Sequence, residues 1–463
     1  MTPTTTTRAP AAAVTAFRAS TGIDIVSPAD PGWDDARLAW NLAVDQQPTV
    51  IAFPETTEHV VLLVDFARDQ GLRVAPQGTG HAAGAHESLD HTLLMKTERM
   101  RDVEIDPVAR TARVVAGVQW AEVTDAAAEH GLAALAGSSP DVGVVGYTLG
   151  GGISFLARRY GLASNSVTAI ELVTADGRLV RTDGYVEPDL FWALRGGGGS
   201  FGAVTAIEFE LYPVAEVYAG MLAFPIERAS EVLHAWCDWT ETIPDEVSST
   251  GRLLRIPPLP EIPEIVRGRK LVVIQAAILK YEAEAATLLE PLRALGPDID
   301  TFGMVPATAL KHLHMDPEHP VAARSTGMLL RTLPPEAVDA LVAVAGAAAQ
   351  VPLLSIEVRH LGGALARPEP HHGAGGTIEA EFGMFGVGMA MNPEMKAAID
   401  AYAPRLLAAL APNQAERSYM NFEDGPTDAS TLFTARTFEL LREVKARHDP
   451  GDMFRSNHPI PLG

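Results

Sequence analysis

The first part of the chain alternates between two spacings of apolar positions. Residues 49–53 and 72–78 are short, mostly apolar runs of the kind that form strands. Between them, Val60, Val64 and Ala67 recur at helical spacing behind a threonine cap, and a glycine follows as the stop. The pattern therefore predicts strand, helix and strand, with the second strand running directly into a glycine-rich loop.

Predicted strands and helices continue to alternate through the first half of the chain. Residues 101–118 contain two apolar runs joined at Asp106-Pro107, which predicts two strands, and residues 121–131 predict a helix that ends at a glycine. Residues 169–183 predict a hairpin that turns at Asp176-Gly177, because Asp-Gly between apolar runs favours a tight turn. This half is predicted to be α+β.

The pattern changes after residue 214, where a proline-rich stretch precedes an apolar strand at residues 271–279. Further along, alanine-rich helices alternate with strand candidates; the helices lie near 282–295, 335–350 and 394–410, and the strands near 353–360 and 377–390. Strands that alternate with helices of this length indicate a mixed sheet backed by helices. The second half is therefore predicted to form a separate domain.

Composition excludes several classes of protein. The chain has 463 residues and a formal charge of −22, which argues against a nucleic-acid or anionic-membrane partner. Its single cysteine, Cys237, lies in an apolar helical stretch and is predicted to be an inert core thiol. The N-terminus lacks the apolar core of a secretory signal, and no apolar run approaches the roughly 20 residues of a membrane span. We therefore expect a cytoplasmic protein.

Three glycine clusters carry the strongest functional signal: QGTGHAAG at 77–84, GYTLGGGISF at 146–155 and RGGGGSFG at 195–202. Glycines let backbone amides approach a ligand closely, and successive amides attract phosphate oxygens. None of the clusters has the spacing of an NTPase P-loop or of a Rossmann glycine motif with its acidic residue. Together they predict a site for a long ligand with a pyrophosphate, such as a dinucleotide.

The order of the motifs resembles a known family. PQGTGH, GSSPDVGVVGYTLGGGISF, DLFWALRGGGGSFGAVT, YMNF and FRSNHPIP are similar to segments of the FAD-linked oxidases of the vanillyl-alcohol oxidase, or PCMH, type. The resemblance extends from about residue 45 to the end of the chain. Within the family it is most specific for the berberine-bridge-enzyme-like branch. It implies an α+β fold, in which a PCMH-type FAD-binding domain of two α/β subdomains carries an inserted substrate domain. The inserted domain would be a mixed or antiparallel sheet backed by helices.

The resemblance also implies domain boundaries along the chain. After a disordered tail at residues 1–20, it implies an FAD-binding domain at 21–214 and a substrate domain at 215–410. A C-terminal segment at 411–463 would then return to the FAD domain.

His81 is the residue that the resemblance singles out in the first glycine cluster. In that family the histidine after the glycines is bonded through its ring nitrogen to the 8α-methyl of FAD. Taken alone, His81 is also compatible with a structural histidine that binds the loop backbone. The other cofactor-binding residues that the resemblance implies are Gln77, Gly78, Thr79, Gly80, Ala82, Gly84, Ser139, Val142, Gly143, Gly146, Gly150, Gly151, Gly152, Val204 and Asn457.

Some of these positions carry more specific expectations. Gly150, Gly151 and Gly152 are expected to open a helix whose N-terminus faces the pyrophosphate, although glycines also serve close helix packing. Val204 corresponds to a strand at the edge of the flavin ring. Asn457 corresponds to a residue near the pyrimidine end of the flavin, where a side-chain amide suits both donors and acceptors.

One position departs from the family pattern. Many members of the branch bind the flavin a second time through a cysteine in a G-x-C-P-x-V-G pattern, and this chain has Ser139 there. The resemblance therefore implies FAD held by one covalent bond, through His81. Val142 matches a position where a small side chain is associated with oxygen reactivity, which favours an oxidase.

Three residues are candidates for catalysis on the substrate side. Tyr419 lies in the C-terminal YxN[YF] motif, and the resemblance makes it the first choice for a hydroxyl that contacts substrate. Glu357 and Arg359 share one face of a predicted strand by their period of two. A buried structural tyrosine and a solvated sheet face are the respective alternatives. No set of histidines has metal-site spacing, so no metal is expected.

The expected function is that of an FAD-dependent oxidoreductase. The favoured form is an oxidase that takes hydride from a small organic alcohol or amine and reduces O₂ to H₂O₂. The alternatives are a flavin dehydrogenase or ring-forming tailoring enzyme with another acceptor, and an inactive flavin- or ligand-binding protein. Substrate identity, the catalytic base and the choice between monomer and homodimer are left open by the sequence.

Overall fold

The computed structural model describes residues 11–86, 88–260, 262 and 264–463. The strands are β1 (Asp24–Val26), β2 (Val50–Phe53), β3 (Arg73–Gln77), β4 (Thr92–Lys96), β5 (Val103–Asp106), β6 (Thr111–Val115), β7 (Val167–Val173), β8 (Leu179–Thr182), β9 (Ala203–Glu210), β10 (Glu216–Pro225), β11 (Val247–Arg255), β12 (Lys270–Ile278), β13 (Ile299–Asp300), β14 (Gly303–Pro306), β15 (Ala323–Leu330), β16 (Ser355–His360) and β17 (Phe382–Met389). The helices are α1 (Ala11–Thr21), α2 (Trp33–Ala36), α3 (Thr57–Asp69), α4 (Trp120–Ala128), α5 (Val144–Leu149), α6 (Ala157–Tyr160), α7 (Pro188–Leu194), α8 (Ala229–Thr240), α9 (Glu282–Arg293), α10 (Leu310–Leu313), α11 (Pro335–Ala345), α12 (Pro393–Leu410) and α13 (Ala435–His448).

Two small sheets are built from the first half of the chain. The first has the order β1-β2-β4-β3, with β2, β4 and β3 parallel, and the second is antiparallel in the order β5-β6-β9-β7-β8. Local signals account for their connections: the Thr56 side chain accepts a hydrogen bond from His59 N at the start of α3, and Gly177 turns the β7–β8 hairpin with a φ of 82°. These elements confirm the predicted α+β first half.

The third sheet is larger and lies within residues 216–389. Its order is β13-β10-β12-β11-β16-β17-β15, with β14 added beside β10, and its paired strands are antiparallel. Apolar side chains from one face, including Ile356 and Val358, form a core with Trp236 of α8 and Leu406 of α12. The other face carries polar and charged side chains, and it contributes to the candidate site.

The C-terminal segment binds back to both small sheets. Val74 N in β3 donates to Met453 O at 2.8 Å, and Arg455 N donates to Val74 O at 2.8 Å. Lys445 of α13 has no exposed surface and donates to Ser200 O, next to β9, at 2.9 Å. The segment thus joins the two sheets at the place where the glycine clusters lie.

Three sequence expectations need correction or completion. The N-terminal tail is not disordered over residues 11–20, because these residues belong to α1 and bury Val14 against the first sheet; residues 1–10 lie outside the described residues. The strand predicted near 377–390 begins only at Phe382. In the described part of the chain, no helix has the length and apolarity needed to cross a lipid bilayer.

Candidate functional site

The first glycine cluster forms a tight loop at the end of β3. Gly80 has a φ of 89°, and a Cβ placed on it would lie 2.9 Å from the Cβ of Ala39. Only glycine fits this position, because both the backbone conformation and the neighbouring chain exclude a side chain. Thr79 O accepts a hydrogen bond from Trp40 N at 3.0 Å, which fixes the loop against the preceding segment.

The three glycine clusters meet one another in space. A Cβ placed on Gly143 would lie 3.8 Å from Thr79 N, so the second loop packs directly on the first. Gly198 N donates to Leu149 O at 3.0 Å, which joins the third cluster to the second. The tail closes the arrangement, since Ser200 Oγ and Ser456 Oγ are 2.8 Å apart. The sequence prediction that bare backbone from three segments converges is thus matched by the structure.

Gly150, Gly151 and Gly152 do not open a helix, and that expectation is wrong. They follow α5, which begins after Gly143 and ends at Gly150, whereas α6 begins only at Ala157. Gly151 and Gly152 have φ values of 112° and 81°, which end the helix and make room for aromatic rings. A Cβ on Gly151 would lie 3.1 Å from the ring of Tyr419.

His81 lies at the centre of a small polar arrangement. Its ring stacks on Trp40, with centroids 3.9 Å apart and an angle of 20° between the planes. Its Nε2 is buried and faces Asp141 Oδ1 of the second loop at 3.4 Å, an ion-pair contact that does not reach hydrogen-bond geometry. Its Nδ1 has no hydrogen-bond partner among the residues that the structure describes. One ring nitrogen therefore faces a carboxylate, and the other is open.

Neutral donors hold the Asp141 carboxylate in place. Trp40 Nε1 donates to Oδ2, and Ser139 Oγ donates to Oδ1 at 3.2 Å. Burial would raise the pKa of this carboxyl group, but the interactions with His81, Trp40 and Ser139 outweigh burial and lower the pKa. Asp141 is therefore an anion at neutral pH.

The other predicted cofactor residues lie in β3, in β9, around the two glycine loops and in the C-terminal tail. Gln77 ends β3 and is buried, Val142 O accepts from Trp120 N at 3.0 Å, and Val204 lies buried in β9. Asn457 follows Ser456 in the tail and is half-buried. The flanking positions Gly78, Ala82 and Gly84 lie in the first loop, and Gly146 lies in α5.

Unpaired polar atoms beside the converging loops fit a large polar ligand. Gln77 Oε1, Thr205 Oγ1 and both ring nitrogens of His458 are buried without a hydrogen-bond partner. Buried groups of this kind are costly unless something binds them. A glycine-lined cleft with such donors and acceptors fits FAD, and these residues could hold it.

Tyr419 lies at the boundary between this cleft and the large sheet. Its hydroxyl accepts hydrogen bonds from Gly152 N at 2.8 Å and from Asn421 Nδ2 at 3.4 Å. Its ring packs edge-on against Phe422, with centroids 5.0 Å apart. Burial raises the pKa of Tyr419 above its usual value. Tyr419 is consequently a neutral hydroxyl whose own proton is free to donate.

Tyr147 is a site residue that the sequence reasoning missed. It is half-buried, with its ring between Gly137 and Gly152, and its hydroxyl donates to Leu135 O at 3.1 Å. Its hydroxyl is close enough to Tyr419 and Arg359 to interact with both electrostatically, and burial raises its pKa well above the usual value. In space, the ring of Tyr147 has a glycine on each side. Because neither glycine is next to it in sequence, the sequence pattern did not single out this tyrosine.

Glu357 and Arg359 lie on the polar face of the large sheet, as their alternation predicted. The face is not solvated, because only 2% of the Glu357 side chain is exposed. Arg359 Nε donates to Glu357 Oε1 at 2.6 Å, and His314 Nε2 lies 2.5 Å from Oε2. Arg252 is directly opposite Glu357 in the strand register, with Nε 3.8 Å from Oε2. Burial would raise the pKa of Glu357, but the surrounding positive charges outweigh it and lower the pKa far below the usual value.

Arg359 is the member of this cluster that reaches a cavity. Its side chain is 20% exposed, and its Nη1 and Nη2 have no hydrogen-bond partner among the described residues. The small cavity beside it is also lined by Ser138, Phe155 and Ser154, so it adjoins the second glycine loop. Glu357 lines neither this cavity nor the larger one described next.

A larger cavity, of about 260 Å³, lies beside the YMNF segment. Gly150, Gly151 and Tyr419 contribute to its wall, together with the charged Arg331 and Arg417. The Tyr419 side chain therefore has access to a space large enough for a small molecule.

The remaining histidines have other roles. His312 Nδ1 lies 3.1 Å from Glu318 Oε1, His314 contacts Glu357, and the ring of His371 packs on His372. Within the described residues, a surface group of Glu187, Asp189 and His448 has its ligand atoms close together. Asp189 in that group already pairs with Arg447.

Two family models match the ends of the chain. Residues 48–183 match a model described as "FAD binding domain", and residues 418–461 match one described as "Berberine and berberine like". Among curated relatives, (R)-6-hydroxynicotine oxidase of Paenarthrobacter nicotinovorans is 34% identical over 43% of this chain and 44% of its own length. An FAD-linked oxidoreductase of Dictyostelium discoideum, DDB_G0289697, is 25% identical over 91% of this chain and 90% of its own length.

Solved structures share the whole fold. The BBE-like 1 protein of Physcomitrella patens has a TM-score of 0.83 at 20% identity, over 97% of this chain and 99% of its own. The glucooligosaccharide oxidase of Acremonium strictum, with a 6-S-cysteinyl, 8α-N1-histidyl FAD, has a TM-score of 0.82 at 22% identity, over 97% and 99%. Phl p 4, a grass pollen allergen with glucose dehydrogenase activity, has a TM-score of 0.82 at 22% identity, over 95% and 97%. These findings confirm the PCMH-type FAD-binding fold.

Proposed function

We propose that this chain, whose residues 48–183 match an FAD-binding model and whose residues 418–461 match a berberine-like model, is an FAD-linked oxidoreductase that acts as an oxidase. It takes hydride from a small organic alcohol or amine and passes the electrons to O₂, forming H₂O₂. The single observation that carries this proposal is the convergence of three glycine loops on His81, with Nδ1 open.

FAD, when bound, supplies the hydride acceptor, and the protein supplies binding, orientation and electrostatics. The backbone of residues 78–80, the loop at 142–143 and the first turn of α5 would bind the pyrophosphate region. Val204 and Asn457 would contact the two edges of the ring system. His81 would carry the covalent bond through Nδ1, the nitrogen without a partner.

The bond to His81 is proposed to be the only covalent link. Ser139 replaces the cysteine of the family pattern, and its hydroxyl is engaged with Asp141. Cys237 of α8 is half-buried against the core of the large sheet, and burial raises its pKa to about 12, so it does not supply a thiolate.

The preference for O₂ rests on Val142. A variant of Phl p 4 with valine in place of one isoleucine is described as a glucose oxidase, whereas the wild type is described as a glucose dehydrogenase. Val142 already provides a small side chain in the loop beside Asp141. Replacing it by isoleucine should slow oxidation of the reduced flavin by O₂ while leaving oxidation by a quinone dye unchanged; equal rates with both acceptors would favour the dehydrogenase alternative.

Tyr419 is proposed to orient the substrate and to donate a hydrogen bond. Its hydroxyl oxygen is occupied by Gly152 N and Asn421, and its pKa is raised, so it is unsuited to act as a phenolate base at neutral pH. This arrangement suits an amine oxidised in its neutral form, or a substrate that loses its proton to water.

Arg359 is proposed to bind the substrate end that is anionic or rich in electrons. Glu357 fixes its Nε, and the Arg359 side chain lines a small cavity next to the second glycine loop. Substrates with a carboxylate or a phenolic oxygen are therefore the first to screen. The cytoplasmic location, the domain boundaries and the choice between monomer and homodimer stay predictions.

The purified protein tests the cofactor and the reaction together. We expect a yellow protein whose flavin stays with the acid-precipitated pellet, a His81→Ala variant whose flavin passes into the supernatant, and peroxide release with an alcohol or amine substrate. Colour in the supernatant of the wild type would contradict the covalent bond. Flavin that is photoreduced but never bleached by any of a broad panel of substrates would support the alternative of an inactive flavin-binding protein.

A further inference from the structure

We propose that Asp141 is a positioning residue that prepares His81 for its covalent attachment to the flavin. This inference rests on the proposed function, because it concerns how the bond to His81 forms. It assigns a purpose to a carboxylate in the same loop as the missing cysteine, at a position that the family pattern leaves open.

The arrangement is rigid around His81. Trp40 both stacks on the imidazole and donates Nε1–H to Asp141 Oδ2, so one side chain fixes the plane of the ring and the carboxylate together. Ser139 holds the other carboxylate oxygen, Oδ1, which is the one that faces His81 Nε2. Three chain segments thus contribute to the placement of one imidazole.

The placement selects a tautomer. A carboxylate is only an acceptor, so beside Asp141 the imidazole carries its proton on Nε2. The lone pair is then on Nδ1, which is the nitrogen that has no partner in the described residues. A nucleophile held in the correct tautomer by a buried carboxylate is the same logic that orients the histidine in a Ser-His-Asp triad.

The attachment step balances with O₂ as oxidant, which the proposed function already supplies. One C–H bond of the flavin 8α-methyl and one imidazole N–H bond break, and one bond forms between the methyl carbon and Nδ1. The two electrons and two protons released pass to O₂ and give H₂O₂. While the new bond forms, the imidazole becomes positively charged, and the Asp141 anion stabilises it.

The sharpest test is Asp141→Asn, because the neighbours dictate how the amide turns. Trp40 Nε1 can only donate, so the amide oxygen faces Trp40 and the NH₂ group faces His81. Nε2 must then accept, the proton moves to Nδ1, and the lone pair needed for attachment is lost. We expect the fraction of flavin retained in the acid pellet to fall about 10- to 100-fold, the range seen when an orienting carboxylate is lost, while noncovalent flavin is still bound.

A second variant keeps the test independent of folding. In the double variant Asp141→Asn/Trp40→Phe, the aromatic ring still stacks on His81, but the Nε1 donor is gone and the amide oxygen is free to face Nε2. Covalent flavin should recover at least partly, which a merely structural role of Asp141 would not produce. Asp316→Asn is the matched control, since Asp316 binds Ser138 in the same loop at 2.8 Å but does not contact His81; its covalent fraction should equal that of the wild type.

Each outcome separates this inference from the proposed function. If wild-type flavin is released by acid, the proposed bond to His81 fails, and this inference fails with it. If the wild type and Asp141→Asn retain flavin equally, only the role of Asp141 is overturned. An Asp141→Asn variant that binds no flavin at all would also overturn it, because Asp141 would then be needed for binding rather than for attachment.

Discussion

A histidine contacts a carboxylate in two regions of this molecule, and the two pairs behave differently. In the glycine-lined cleft, His81 Nε2 lies 3.4 Å from Asp141; on the polar face of the large sheet, His314 Nε2 lies 2.5 Å from Glu357. Asp141 has only neutral partners besides His81, whereas Glu357 also contacts Arg252 and Arg359. We call the first the open pair, because no charged group besides His81 contacts its carboxylate among the described residues, and the second the closed pair, because two arginines flank its carboxylate. The Nδ1 of His314, like that of His81, has no hydrogen-bond partner among the described residues.

The difference shows which buried carboxylate suits a positioning role and which suits a site where charge develops. A buried carboxylate among several cations cannot give up its charge without leaving them unpaired, so it suits positioning. A carboxylate held by neutral donors can respond to a change on its histidine, so it suits a site where charge develops. On this basis we expect Glu357 to orient Arg359, and Arg359 and His81 stay the proposed ligand-binding groups of the two regions.

The largest expected effect on stability comes from removing the carboxylate of the closed pair. Glu357→Gln leaves the buried Arg252 and the half-buried Arg359 without their anion and should lower the free energy of unfolding by roughly 3–5 kcal/mol. Asp141→Asn should lower it by only about 1 kcal/mol, since it exchanges one hydrogen-bonding group for another of the same size. Urea denaturation of both variants measures the contrast.

An exposed carboxylate provides the control for that experiment. Glu379, whose side chain is 73% exposed, pairs only with Arg417, and Glu379→Gln should change the free energy of unfolding by less than about 1 kcal/mol. Equal losses for Glu357→Gln and Asp141→Asn would remove the distinction between the two regions.

The next effect concerns the arginine that Glu357 orients. Arg359→Leu should raise KM for a carboxylate or phenolate substrate about 10- to 100-fold, the worth of one or two hydrogen bonds to a charged group, and change KM little for a neutral analogue. Arg331→Leu is the matched variant in the larger cavity, where Arg331 already binds Gln414 O and Pro412 O. If Arg331→Leu has the larger effect on KM, the substrate occupies the larger cavity instead.

A lower pH should reduce the stability of the two regions to different extents, by smaller amounts than the substitutions above. Beside the cleft, His458 is buried and His86 is half-buried, and desolvation of the two rings lowers the pKa of each to about 4. Because these folded pKa values are below the unfolded value near 6.5, the unfolded chain takes up protons first, and stability is lost as pH falls from about 6.5 toward 4. The pKa of Glu357 is also lowered, but its stabilisation is lost only below its unfolded value near 4.5.

At pH 5 the cleft should therefore be weakened while the charged cluster of the sheet is intact. Lowering the pH from 7 to 5 should cost roughly 1–2 kcal/mol for His458, and His458→Asn should remove that part of the loss. Since His360 on β16 also has a pKa lowered to about 3 by burial, the comparison of wild type with His458→Asn is the measurement that isolates the cleft. An identical loss in both proteins would show that His458 does not titrate in this range.

The sequence predicted the local elements well because their causes are local. The cap at Thr56, the turn at Gly177 and the alternation along β16 each depend on residues within a few positions of one another. The helix expected at Gly150–Gly152 failed because aromatic rings remote in the chain, such as that of Tyr419, decide the backbone there.

The site was predictable only where a motif names its residues. His81 was found because it directly follows Gly-Thr-Gly, but its contact with Asp141 crosses 60 residues and has no spacing signal. His314 likewise reaches Glu357 from the end of α10, in a different part of the large domain. Contacts of this kind are set by the packing of the sheets, which periodicity does not reveal.

The smallest expected effect tests what holds Asp141. Ser139→Ala removes one of its two neutral donors, but Trp40 still fixes the other oxygen, and Oδ1 becomes freer to accept from His81 Nε2. The free energy of unfolding should fall by no more than about 1 kcal/mol, and the flavin retained in the acid pellet should stay close to that of the wild type. A strong loss of covalent flavin would mean that the serine, not the tryptophan, determines the position of the carboxylate. In that case Ser139, the residue that replaces the family's cysteine, would set the geometry of the open pair. The expectation that the pair tolerates the loss of one neutral donor would then be wrong.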